Sequence, residues 1–187
     1  MSVKQEEVSS SSPFDVADTF TDVTFDVEGK QLHFSKHLLQ MSSPVFDRMF
    51  TSDFKEKESS VIPLPGKTYQ AMDTFLRQLH PAHCWKPITD GDLEALLQLA
   101  DEYQVKHVQE RCQKFMEAQI STSYITCVLL YLRLCDKHKF EQTRTKAIES
   151  LASQGRVKTW ESCDEFKQLT LSTKYDLVRA RCLRLDR

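Results

Sequence analysis

The chain has 187 residues, 40% of them hydrophobic and 28% charged, with only 4 Gly and 6 Pro, which excludes disordered and fibrous classes and leaves room for one domain plus a small extension. The formal net charge is −2 with both signs interspersed, so no broad basic field exists to hold nucleic acid or an anionic membrane. Six scattered cysteines without a CxxC pair read as reduced thiols. The stretch around Ile125 to Leu134 is about half the ~20 residues that a bilayer span needs, and the start of the chain lacks a secretory apolar run. The expectation is a cytoplasmic or nuclear protein that is neither secreted nor held in a membrane.

In chain order, residues 1–13 form a Ser-rich segment, with Glu6, Glu7 and Ser9 to Ser12, expected to be a disordered tail. Val23, Phe25 and Val27 alternate with polar residues, Glu28-Gly29 offers a turn, and Gln31 to Phe34 returns, which predicts a β-hairpin. Ser35 is placed to cap a short helix with Leu38, Leu39 and Met41. Ser43-Pro44 opens a second with Val45, Phe46, Met49 and Phe50. Val61 to Leu64 reads as a short edge strand because of Pro63, and Pro65-Gly66 ends it.

A helix begins near Thr68, places Tyr69, Met72, Phe75 or Leu76, and Leu79 on one face, and stops at His80-Pro81. Thr89 and Asp92 resemble a capping box before Leu93, Leu96, Leu97 and Ala100. Val105, Val108, Cys112, Phe115 and Met116 form the next helical stripe. Ile125 to Cys135 and Phe140 to Leu151 then predict a helical hairpin turning across Asp136 to Lys139. Ser162 with Glu165, and Ser172, are cap candidates for two last helices carrying Phe166 and Leu169, and Leu177, Val178 and Leu183.

This order, with Asp22-Val23, Val27, Leu32, Lys36, Leu39, Ser43-Pro44-Val45-Phe46 and Met49-Phe50, resembles the BTB/POZ family. The likeness covers roughly residues 20–118 and is nearest to the BTB half of MATH-BTB adaptors and to stand-alone relatives, through Pro87-Ile88-Thr89-Asp90 and Leu99-Ala100-Asp101-Glu102-Tyr103. It implies an α+β BTB/POZ fold over 14–118, a helix cluster with a small, mostly three-stranded sheet, followed by an all-helical BACK-like extension over 119–187. Two positions depart from the family pattern: Ser35 stands where many members have histidine, and His80-Pro81-Ala82 replaces a Tyr-Thr-Gly turn. The second departure predicts that the usual strand near His83 to Lys86 is altered.

The resemblance implies dimerisation, with itself or another BTB protein, through the first two helices and the segment before the hairpin. On this chain that means Phe14, Leu38, Met41 and Val45. Independently, Leu38, Leu39 and Met41 are more apolar side chains than one stripe of so short a helix can bury inward. The resemblance also implies binding of cullin-3 by a hydrophobic residue, any residue, then an acidic one after the second helix. Here these are Phe54-Lys55-Glu56, with Asp53 beside them. Phe54 is read either as an anchor for a partner pocket or as a cover for the chain's own core.

Catalytic and metal patterns are lacking. His80, His83 and Cys84 lie close together without a fourth zinc ligand, and the other histidines are isolated by type. No Gly-flanked serine elbow or phosphate-cradling loop occurs, and Cys112 and Cys135 lie on apolar stripes. Arg179, Arg181, Arg184 and Arg187 read as the solvent face of a last helix. The expected function is a non-enzymatic, cofactor-free interaction module that homodimerises and recruits an unknown substrate protein to a cullin-3 ubiquitin ligase. The alternative is an architectural oligomerisation or co-regulator-binding BTB module without cullin binding.

Overall fold

A computed structural model describes residues 11–51, 61–154 and 157–185. The chain divides into two compact units, one running through Pro87 and taking in Leu99–Val105, the other comprising Ile88–Gln98 and Lys106–Arg187.

The first unit is built on the predicted hairpin. β1 (Val23–Val27) pairs antiparallel with β2 (Lys30–Phe34), with Phe25 opposite Leu32. Glu28 and Gly29 both take positive φ, 55° and 73°, as a two-residue turn matched to strand twist requires. β3 (Val61–Pro63) lies parallel to β1 at the sheet edge, giving the order β2-β1-β3. Its proline therefore interrupts no central ladder. Val23, Phe25, Val27, Leu32, Phe34 and Ile62 are buried, as the two-residue alternation predicts.

α1 (Lys36–Ser42) and α2 (Pro44–Thr51) follow the hairpin. Ser43 caps α2 as expected: its Oγ accepts from Phe46 N at 3.1 Å, and the hydroxyl donates to Tyr103 O at 2.5 Å. Ser35, by contrast, makes no side-chain cap bond. Asp22 Oδ1 takes that role, accepting from Lys36 N at 2.6 Å. A carboxylate arriving from the strand meets the exposed first-turn N–H directly and favours the positive end of the helix.

Phe46 stacks on Tyr103 at 4.3 Å and 11° and lies 5.9 Å from Phe25, so one aromatic column links sheet, α2 and the 99–105 segment. α3 (Tyr69–Leu79) is capped by Thr68, which accepts from Ala71 N. Met72, Phe75, Leu76 and Leu79 are buried. Residues 81–86 form turns where the family pattern had suggested an altered strand.

α4 (Asp90–Glu102) carries its first nine residues in the second unit and its last four in the first. At its start the Asp92 carboxylate accepts from both Thr89 N and Thr89 Oγ1, at 3.0 and 2.7 Å. The Thr89 hydroxyl thus donates to Asp92, where the full capping box would have it accept a backbone N–H.

The second unit is helical. α5 (Lys106–Gln119), α6 (Ile125–His138) and α7 (Glu141–Gln154) bury most of the predicted stripes, but Phe115, Ile125 and Phe140 are only half-buried, while Tyr131 and Leu134 are buried in addition. The turn between α6 and α7 is tighter than expected. α6 continues through His138, and Lys139 alone adopts the left-handed C-cap conformation, φ 62°. α8 (Val157–Glu161) was not foreseen, since five residues are too few to show a period.

The last two caps differ from expectation. α9 (Asp164–Gln168) is preceded by Cys163, while Ser162 Oγ donates backward to Thr159 O. α10 (Leu171–Leu185) is capped by Thr170, whose Oγ1 accepts from Thr173 N, two residues before the expected Ser172. In both places several Ser and Thr residues crowd the boundary, and spacing alone does not choose between them.

Among the described residues no helix is long and apolar enough to cross a membrane, and no group of three or more His, Cys, Asp or Glu could hold a metal ion.

Candidate interaction surface

The outer side of the first unit follows from the shortness of α1. Seven residues give under two turns, and Leu39 takes the inward position with its side chain fully buried. Leu38 and Val45 are left half-buried, and Met41 stands 73% exposed. The segment before the hairpin adds two more large apolar side chains, Val16 at 77% and Phe20 at 81% exposed. Phe14, Val16, Phe20 and Leu38 share the lining of one small cleft of about 100 Å³.

That segment is held in place by an identifiable set of bonds. Phe14 O accepts from His33 N at 2.8 Å, extending the β2 edge by one rung. Ser12 Oγ donates to Asp73, which is also paired with Arg77 at 2.8 Å, and the Tyr69 hydroxyl donates to Asp15. Burial, and then the Asp15 carboxylate, push the Tyr69 hydroxyl up to about 12, so it remains a donor. Ser12, which composition placed in a segment expected to be a disordered tail, is buried by these contacts. Residues 1–10 lie outside the described residues.

Phe14, expected among the dimer-forming residues, is 4% exposed. Its ring meets Phe34 at 5.2 Å, His80 at 5.8 Å and His83 at 5.7 Å, with the Arg77 guanidinium over its face. Burial lowers the His80 pKa, the neighbouring His83 ring at 4.7 Å lowers it further, and Asp18 opposes both. His80 therefore packs in its neutral form at pH 7.

Of the predicted interface set, Leu38, Met41 and Val45 fall on the α1–α2 side of this unit, and Phe14 lies beneath the segment carrying Val16 and Phe20. Val16 and Phe20 were missed because they sit in an irregular stretch with no period to betray a face. The cullin-binding candidates Asp53, Phe54 and Glu56 lie outside the described residues.

A family model for the BTB/POZ domain matches residues 13–120, more than half of the chain. The chain belongs to the BTB/POZ family. It is 29% identical over 157 residues to BTB and MATH domain-containing protein 38 of Caenorhabditis elegans, covering 84% of this chain and 39% of that protein. Over 149 residues it is 26% identical to BTB and MATH domain-containing protein 36 of the same organism, covering 80% and 45%. To human Kelch-like protein 24 it is 26% identical over 163 residues, covering 87% and 26%. The BTB/POZ chain thus spans less than half the length of these curated relatives. As a BTB/POZ domain, it is a protein-interaction module.

Proposed function

We propose that this BTB/POZ module homodimerises through Leu38, Met41 and Val45 together with Val16 and Phe20, and recruits a substrate protein to a cullin-3 ubiquitin ligase. The observation that carries the dimer is the exposure of Met41, Val16 and Phe20 on one unit that has a complete core of its own. Phe14 serves this surface as an anchor, buried under the segment that presents Val16 and Phe20. The resemblance to MATH-BTB adaptors supports the cullin-3 role, with Phe54 as the apolar anchor and Asp53 and Glu56 fixing its register.

The test is a pull-down with a cullin-3 N-terminal fragment. Phe54→Ala and Glu56→Lys should each weaken capture by about ten-fold or more while light scattering still reports a dimer. Full capture by both variants overturns the assigned contact. No capture by the parent chain leaves the architectural reading, an oligomerisation module without cullin binding.

A further inference from the structure

α10 carries two different faces. Thr173 and Leu177 are buried on one. On the opposite side Leu171, Tyr175, Val178 and Cys182 are all exposed, Leu171 at 85% and Tyr175 at 65%. Their spacing of four, three and four residues is the alternation of a coiled-coil seam, a narrow stripe with exposed Leu183 lying outside it. Such a seam fits another helix, whereas a helix lying on a bilayer presents a broad apolar face.

With Leu171 and Val178 in one core position of the heptad and Tyr175 and Cys182 in the other, the positions flanking the seam are Lys174 and Arg181 on one side and Ser172 and Arg179 on the other. Three of the four are basic. Lys174 Nζ reaches Lys167 O at 3.0 Å and lies over the Phe166 ring, and Arg181 Nη1 donates to Ala152 O at 2.7 Å. These contacts hold two of the positive charges beside the seam. Asp176, the one acidic residue of α10, is engaged elsewhere, by Arg144 at 2.7 Å.

The charges decide the occupant. In a parallel pair of identical helices, Lys174 of one copy would face Arg179 of the other. In an antiparallel pair, Lys174 would face Lys174 or Arg181, and Arg179 would face Ser172 or Arg179. Every arrangement of two copies sets like charges opposite one another, which opposes pairing. We infer that the Leu171–Tyr175–Val178–Cys182 face of α10 docks an amphipathic helix of a protein partner whose own seam is flanked by glutamate or aspartate. This surface lies on the helical unit and is independent of the dimer surface and of the cullin-3 reading.

The test uses the full chain and two synthetic helical peptides, both with leucine at the two core positions of each heptad, one with glutamate and one with lysine at the flanking positions. Fluorescence anisotropy should show saturable binding of the glutamate peptide, weakened by added salt, and little binding of the lysine peptide. Leu171→Ser with Tyr175→Ser should weaken it about ten-fold. Both positions are exposed, and an unchanged circular dichroism spectrum establishes that the variant folds. Arg179→Glu should weaken the glutamate peptide and strengthen the lysine peptide. Equal binding of both peptides, binding of neither, or binding unchanged by the double substitution overturns the inference. So does loss of self-association in the Leu171, Tyr175 variant, which would make the occupant a second copy. Preferential binding of phosphatidylserine vesicles through this face would make it a membrane surface.

Discussion

The two units solve the same stabilisation problem by different means. In the first, many polar ties run from backbone or short side chains to neighbouring segments, beside the Lys67–Glu102 and Asp73–Arg77 ion pairs. Asp22 caps α1, Ser43 joins α2 to Tyr103, and Phe14 O extends the strand edge, all around the aromatic column of Phe25, Phe46 and Tyr103. In the second, helices are cross-linked by charged side chains. Arg144 on α7 donates to Asp136 on α6 and to Asp176 on α10, each at 2.7 Å, while Thr173 Oγ1 donates to Asp136 at 2.5 Å. Both carboxylates outweigh the desolvation of Arg144 and raise its pKa, and Glu117 on α5 is held low by Thr143 and Lys146 on α7. A sheet with short helices can satisfy its chain ends locally. A stack of similar helices needs specific charges to select which helix meets which.

The sharpest way to break this contrast is to cut the aromatic column. Phe46→Ala removes a fully buried ring that stacks on Tyr103 and should cost about 3–5 kcal/mol, read from urea unfolding. Arg144→Ala should cost less, about 1–3 kcal/mol, because it strands Asp136 and Asp176 only partly out of water. Chemical denaturation with separate probes in each unit should show Phe46→Ala acting first on the sheet unit and Arg144→Ala on the helical one. Simultaneous loss of both units in either variant would erase the distinction.

Acid sharpens the contrast with a smaller effect. His80 has its pKa lowered in the fold, so its contribution is complete above the unfolded value of about 6.5 and is lost as pH falls from there through the folded value. Glu94, held low by its hydrogen bond to Arg133, contributes above the carboxylate range and loses that contribution only at lower pH. The melting temperature should therefore fall first below about pH 6.5 through the Phe14–His80–His83 cluster, and His80→Gln should flatten that step. An unaltered profile in the variant would contradict the assignment.

The elements that were legible in the sequence are those with a period. The alternation of Val23 to Val27 and the stripes from Leu93 to Leu151 appear where expected, and the Glu28-Gly29 turn takes the positive φ its glycine permits. What escaped are features that depend on residues meeting from afar. Asp22 caps α1 in place of Ser35, and Ser12 is drawn out of its polar run by Asp73, 61 positions away. The candidate surface was half legible: Leu38 and Met41 stood out as a surplus on a short helix, whereas Val16 and Phe20 became visible only once the anchors of their segment were known.

The smallest effect on stability belongs to the substitution that matters most for function. Met41→Glu lies on an exposed position and should alter the unfolding free energy by no more than about 0.5 kcal/mol. It should nevertheless place a charge on the proposed dimer surface. Light scattering of the parent chain, alone and with a cullin-3 N-terminal fragment, should report twice the chain mass and then a larger complex, while Met41→Glu alone should report a single chain. A parent chain that is monomeric at micromolar concentration, or a Met41→Glu variant that remains dimeric, would contradict dimerisation through this surface.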